Sequence, residues 1–253
     1  MLDYDTEAAH YDRTRGGVPR AAAAADAVLR LVPPGARSLL DVACGTGLVT
    51  ERLARPGLRV YGADAAPGMV ARAAGRLPGR AFRADARRLP LPDASVDAVS
   101  AVWLLHLVPF AAEVVAEAAR VLRPGGVFLT TVDKDAAHDV GSDVDAVLRP
   151  HRSFTAAFDR ADRIGGYAAA HGLTDAGATG FTGHGQGNSP RGAAEKLRAG
   201  YFASWFDGGP DLTAALAAGL LALPDPDGRR PDPEYRLVAF RRSRRPTPGG
   251  RTP

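Results

Sequence analysis

Leu39-Leu40-Asp41-Val42-Ala43-Cys44-Gly45-Thr46-Gly47 passes from an apolar run to an acid and then into a turn holding two glycines. The run, residues 37–43 (RSLLDVA), has the length and apolar continuity of a strand buried in a parallel sheet. Beyond the turn, residues 48–54 place Leu48, Val49 and Leu53 at helical spacing before Pro56-Gly57 stops them. Glycine at positions 45 and 47 lets the backbone approach a ligand that a Cβ would keep away. Open α/β sheets bind ligands at the carboxyl ends of their strands, where this turn lies. The version that cradles two phosphates is G-x-G-x-x-G. Here Thr50 stands at the third glycine, and Asp41 closes the strand. An acid repels a pyrophosphate and attracts a cation, so the turn suits a ligand with an ammonium group. A tight strand-to-helix connection with no ligand is the plainer reading of the glycines alone.

Working outward, residues 58–63 (LRVYGA) form a second strand and residues 67–77 a helix, begun by Pro67 and ended by Pro78-Gly79. Residues 80–84 and 96–102 are further strands. Residues 110–122 form a helix with Val114, Val115, Ala118, Val121 and Leu122 on one face, and residues 127–132 (VFLTTV) follow Pro124-Gly125-Gly126 as a strand. The second half is less regular: a helix over 154–171, a strand over 176–182, a Gly-rich loop over 184–190, helices over 191–206 and 210–223, and a strand over 235–241. The first of those two helices shows an aromatic face of Tyr201, Phe202, Trp205 and Phe206, read as core or as a pocket wall. Seven strands alternating with helices predict an α/β fold, a doubly wound and mostly parallel sheet. Residues 188–233 are long for a connection within one sheet and are expected to form a cap. The expected division is lid helices over 1–32, one ligand-binding domain over 33–241, and a disordered basic tail over 242–253.

Composition narrows the class. A chain of 253 residues, 45% of them apolar, has enough core to need no disulfide, and its single Cys44 can make no internal one. The N-terminus shows no leader pattern, so a cytoplasmic protein is expected. The apolar stretch 98–110 is well short of the roughly 20 residues that span a bilayer. The net charge of +4 suggests nucleic acid until it is located. Arg241, Arg242, Arg244, Arg245 and Arg251 lie in the last thirteen residues, and removing them leaves the body of the chain at −1. No basic stripe remains, and neither a nucleic-acid nor a membrane partner is expected.

Two further acids stand at strand ends. Asp64 closes the second strand and can accept hydrogen bonds from both ribose hydroxyls. Asp85, with Ala86, follows the third strand, where a carboxylate could receive an adenine amine or merely cap a turn. Met69 could cover a flat base or pack in the core. Cys44 reads as a small buried residue, since no cation adjoins it in sequence. His106, past the fourth strand, is the candidate general base, with a structural histidine as the plainer reading. His138, His151, His171 and His184 lack metal-ligand spacing, and no metal is expected.

Taken together, LLDVACGTG (39–47), VYGAD (60–64), residues 82–108 and RVLRPGGVFLTT (120–131) resemble a class I S-adenosylmethionine-dependent methyltransferase, of the branch holding ubiquinone/menaquinone-type and small-molecule enzymes. The resemblance covers about residues 37–132 and implies a Rossmann-like fold. Ala43 departs from the glycine usual there. By this resemblance Asp41, Gly45 and Gly47, with Ala43, Cys44 and Thr46, would line the methionine part of S-adenosylmethionine. Asp64 would hold the ribose, Ala65 and Met69 would flank the adenine, and Asp85 and Ala86 would meet its amino edge. Ala101, Val102 and Trp103 would face the sulfonium, while Tyr11 and Arg15 would close over the cofactor as a lid. The resemblance implies methyl transfer to O, N or C of a small organic molecule, releasing S-adenosylhomocysteine, in a monomer or homodimer. An N-P-P-Y-type tetrad is absent at Ser100-Ala101-Val102-Trp103, which disfavours methylation of exocyclic amines of bases or of glutamine. The same pocket could serve a non-methylating reaction or a binding role. An NAD-dependent dehydrogenase is disfavoured by Asp41 and the missing third glycine.

Overall fold

The computed structural model describes residues 10–152, 157–200, 202, 206 and 209–244. Seven strands form one sheet: β1 (Ser38–Val42), β2 (Arg59–Asp64), β3 (Ala81–Arg83), β4 (Val96–Ala101), β5 (Leu122–Val132), β6 (Leu173–Thr182) and β7 (Glu234–Arg242), in the order β3-β2-β1-β4-β5-β7-β6. β7 runs antiparallel to β5 and β6, and the remaining pairs are parallel. The sheet is therefore doubly wound and mostly parallel. The chain winds outward from β1 to β3 and returns to β4 on the other side of β1, so the carboxyl ends of β1 and β4 flank the crevice where such sheets take ligands.

Successive strand residues face opposite sides of the sheet. Leu39, Val60, Leu129 and Leu237 pack against Ala24, Ala25 and Val28 of a helix over Gly17–Leu31. Leu40, Val99, Phe128 and Val238 pack on the other side against Val114, Val115 and Ala118 of the helix Ala111–Val121 and Ile164 and Ala168 of the helix Ala161–Ala170. In chain order the helices are α1 (Tyr11–Thr14), α2 (Gly17–Leu31), α3 (Pro67–Arg76), α4 (Ala111–Val121), α5 (Asp143–Leu148), α6 (Ala161–Ala170), α7 (Pro190–Arg198) and α8 (Pro210–Leu221). α2, expected within a lid, supplies the layer on one sheet face.

Several elements differ from expectation. The helix expected over 48–54 is one 3-10 turn, Thr50–Leu53. Too few residues separate Gly47 from Pro56 to repay helix nucleation. The helix expected over 191–206 ends at Arg198, and Gly200 follows with φ +73°. Tyr201 and Trp205 lie outside the described residues. Phe202 is buried in a third core made by α5, α7 and α8. The short α5 has no long apolar stripe, and a Ser142–Asp145 capping box starts it. The basic tail, expected from 242, is described only to Arg244; residues 245–253 lie outside. No described helix is long and apolar enough to cross a membrane.

Candidate functional site

The turn after β1 holds Ala43, Gly45 and Gly47 at φ +56°, +56° and +79°. A Cβ on Gly47 would stand 3.2 Å from the Cα of Ala73, so glycine here is what lets α3 seat against the turn. Ala43 takes a left-handed conformation at a strain of roughly 1–2 kcal/mol, where glycine would carry none. Cys44 is buried, and a Cβ on Gly62 would meet its Sγ at 2.8 Å. Burial, then Asp41 and Asp64, push its thiol well up, so it is a packing residue and no nucleophile.

Asp64 lies at the tip of β2. Its Oδ2 accepts the Gly45 N–H (2.8 Å) and its Oδ1 the Ala66 N–H (2.9 Å), which ties the ends of β1 and β2 together. Asp41 is placed differently from expectation. It is buried, with Oδ2 accepting from Thr50 Oγ1 (2.6 Å) and Oδ1 from Ser100 Oγ (2.7 Å). Burial outweighs those two hydrogen bonds and pushes its carboxyl up to about 6. It sits beneath the turn, and its charge acts through space.

Of the adenine-side residues, Ala65 is exposed and Ala86 packs at the edge of the core. Asp85 is exposed and held by the Arg87 fork at 2.7–3.1 Å, which lowers its pKa. Met69 is 1% exposed, in the packing position and not on an open wall. Ala101 ends β4 and Val102 follows it, both buried, while Trp103 is half-buried against the core on the α2 side of the sheet. It sits there at φ +58°, its N–H donating to Thr131 Oγ1 (2.8 Å).

The N-terminal segment closes on the turn. The Tyr11 ring is 4.0 Å from where a Cβ on Gly45 would stand. Asp12 is the latch: Thr46 Oγ1 donates to its Oδ1 (2.5 Å) and Arg76 to its Oδ2 (2.7 Å), while Arg76 also donates to the Thr46 carbonyl (2.6 Å). Arg15 lies 5.7 Å from the Tyr11 ring centre. Behind it the buried Arg20 donates to the Arg15 carbonyl (3.1 Å) and places its guanidinium 3.5 Å over the Trp103 ring. Trp103 meets Phe181 and Tyr235 edge-on, and the Tyr235 hydroxyl is 3.2 Å from His138 Nε2.

His106 is half-buried, and its Nδ1 has no hydrogen-bond partner among the described residues. Burial, then Lys134, Arg20, His138 and Arg15, hold it well below its ordinary pKa, so it is a neutral imidazole near pH 7. Sequence reasoning missed Asp12, Thr50, Ser100, Arg20, Lys134, His138 and Tyr235. The one available signal was Arg20, a lone cation opening the alanine run of residues 21–25. Among the described residues no group of three His, Cys, Asp or Glu is placed to hold a metal ion.

Residues 40–130 match the family described as the methyltransferase domain. An uncharacterized methyltransferase of Mycobacterium bovis is 38% identical over 126 residues, 49% of this chain and 49% of that protein. The demethylmenaquinone methyltransferase of Beutenbergia cavernae is 46% identical over 94 residues, 37% of this chain and 39% of its own. The chain spans about half the length, or less, of these curated relatives. The crystal structure of the cyclase SpnF superposes with a TM-score of 0.60 at 23% identity, covering 95% of this chain and 93% of the other, a likeness of fold.

Proposed function

Since the chain carries a class I S-adenosylmethionine-dependent methyltransferase domain, we propose that it moves the methyl group of S-adenosylmethionine onto a small organic acceptor, leaving S-adenosylhomocysteine. The observation that supports this most is Asp64 fastened to the Gly45 N–H. That contact sets a carboxylate beside a turn whose glycines leave room for a ligand under Tyr11. Gly45 and Gly47 would pass the methionine portion, Asp64 would take the ribose hydroxyls, and Ala65 with Asp85 and Ala86 would border the adenine. Asp41 would stabilise the ammonium from beneath, and Tyr11 and Arg15 would cover the site.

When bound, the cofactor supplies the electrophilic methyl and its own leaving group. The protein's part is alignment, which can contribute roughly 7–11 kcal/mol. Trp103 and His106 would stand on the acceptor side. His106 is the candidate base, and its lowered pKa means that it would take a proton only as the acceptor's oxygen or nitrogen is being methylated.

Calorimetry with S-adenosylmethionine tests the cofactor reading. Asp64→Ala should weaken binding by about tenfold or more, the scale of a lost charged hydrogen bond, and unchanged affinity removes Asp64 from the site. Incubation with a metabolite extract tests the chemistry: S-adenosylhomocysteine should accumulate. Tight cofactor binding with no product formed marks a non-methylating use of the pocket.

A further inference from the structure

Arg20 lies on α2 with 7% of its surface exposed, an unusual place for a guanidinium. Among the described residues no carboxylate forms an ion pair with it, and its Nε meets no hydrogen-bond acceptor. Its known contacts are a carbonyl, that of Arg15, and two aromatic rings, Trp103 at 3.5 Å and Tyr235 at 5.7 Å. Rings and the Tyr235 hydroxyl offset part of the cost of burying a cation, but they supply no negative charge and leave the Nε–H without an acceptor among the described residues. Burying a charge is costly until an opposite charge arrives.

The surroundings point the same way. Lys134 and Arg15 lie close enough to Arg20 and His138 for all four to act on His106. Burial, then Lys134, Lys196, Arg20 and Arg152, hold His138 well below its ordinary pKa, so both imidazoles stay neutral and the charge left over is positive. Asp135 neutralises Lys134 at 2.9 Å, whereas Arg20 has no carboxylate and a buried Nε–H with no acceptor among the described residues. The walls here are flat: Trp103, Phe181 and Tyr235 meet edge-on or tilted with centroids 5.6–5.7 Å apart.

We propose that Arg20 is the counter-charge for the methyl acceptor, and that the acceptor is a planar aromatic anion, an aryl carboxylate or a phenolate, whose charged oxygen accepts from the Arg20 Nε–H beside Trp103. A carboxylate or phenolate in this position enters ionised, and the same cation that recognises it orients its oxygen. This rests on the methyltransferase reading and deepens it by naming the substrate class.

The test uses the full chain saturated with S-adenosylhomocysteine and titrated calorimetrically with benzoate, with its neutral isostere benzamide, and with 4-nitrophenolate. Benzoate or 4-nitrophenolate should bind about tenfold or more tightly than benzamide, and Arg20→Gln should abolish that preference. S-adenosylhomocysteine affinity should stay within about twofold in the variant, because Arg20 is assigned to the acceptor and not to the cofactor carboxylate. Whichever anion binds more tightly identifies the carboxylate or phenolate form. Arg20→Lys, which keeps the charge and loses the fork, covers the case that Gln unfolds the chain, and the preference of the wild type depends on no variant. Equal binding of benzamide and the anions, or no binding of either anion, overturns the proposal. So does an Arg20→Gln loss confined to S-adenosylhomocysteine. If the wild type does not bind S-adenosylhomocysteine, the cofactor reading fails separately, and the anion preference is measured on the protein alone.

Discussion

Asp41 shows how one side chain can serve both fold and ligand. Its two oxygens receive hydroxyls from Thr50 and Ser100, the latter 59 positions away in sequence on the neighbouring strand. Those bonds join β1, β4 and the 3-10 turn under the glycines. They do not repay the burial of the charge, and the carboxyl titrates at about 6. Its folded pKa stands above its unfolded value, so the native state holds a proton that the unfolded chain has released between about pH 4 and pH 6. Stability from this group is therefore greatest below that window and is lost as pH rises through 6, by on the order of 3 kcal/mol. Asp41→Asn removes the titration. The variant should gain stability over the wild type in urea unfolding above pH 7, and the gain should vanish near pH 4. Its affinity for S-adenosylmethionine at pH 8 should fall severalfold, because the charge beneath the ammonium is gone. A variant less stable than the wild type at both pH values would show that the hydroxyl pair needs the carboxylate.

At the scale of elements, α1 and α2 are joined through Gly16, which sits at φ +85° at the start of α2. A Cβ there would collide with the His184 carbonyl and come within 3.0 Å of the Arg20 Cβ. The glycine thus sets how closely α2 approaches the 183–187 loop and how Arg20 is placed on Trp103. Gly16→Ala should cost on the order of 2–3 kcal/mol from strain and overpacking. Part of that cost should be met by undocking α1, so proteolysis after Arg13 and Arg15 should accelerate, with S-adenosylmethionine slowing it less than in the wild type. Unaltered cleavage would mean that Asp12, held by Thr46 and Arg76, fastens α1 without help from the glycine. These junctions were the least legible part of the sequence. The sheet was legible because strands such as 38–42 are buried on both faces and read as continuous apolar runs between Gly and Pro signals. The glycine turn and Asp64 were legible because their chemistry is local. The short α5 was not, having a polar start and no stripe, and the 3-10 turn at Thr50–Leu53 was overread from three well-spaced apolar residues. Asp41's burial and the stacking of Arg20 on Trp103 depend on partners far away in sequence, which no window of neighbours contains.

At the scale of the whole molecule, the described residues form three apolar cores. One lies on each sheet face, and the third joins Val144 and Leu148 of α5, Ala193, Ala194 and Leu197 of α7, and Leu216, Ala217 and Leu220 of α8. This third core takes no strand residue. It brings the expected cap, residues 188–233, together with the segment around 143–148 from the other side of β6 and α6 in the chain. Polar ties reinforce the union: Arg230 grips Asp143 at 2.7 and 2.8 Å, and Arg152 meets Asp145 at 3.1 Å with both side chains buried. A small core with its own members opens at its own free energy, below that of the sheet. Leu220→Ala, at a position with no exposure, should cost about 2–5 kcal/mol. Hydrogen exchange should report nearly all of that loss in α5, α7 and α8, with β1, β4 and β5 unchanged. S-adenosylmethionine binding should then survive, because every residue assigned to it lies before position 104, while retention of the acceptor should suffer as the cap loosens. Uniform loss of protection across the sheet would instead make the cap and the sheet a single cooperative unit, and cofactor binding would fall with it.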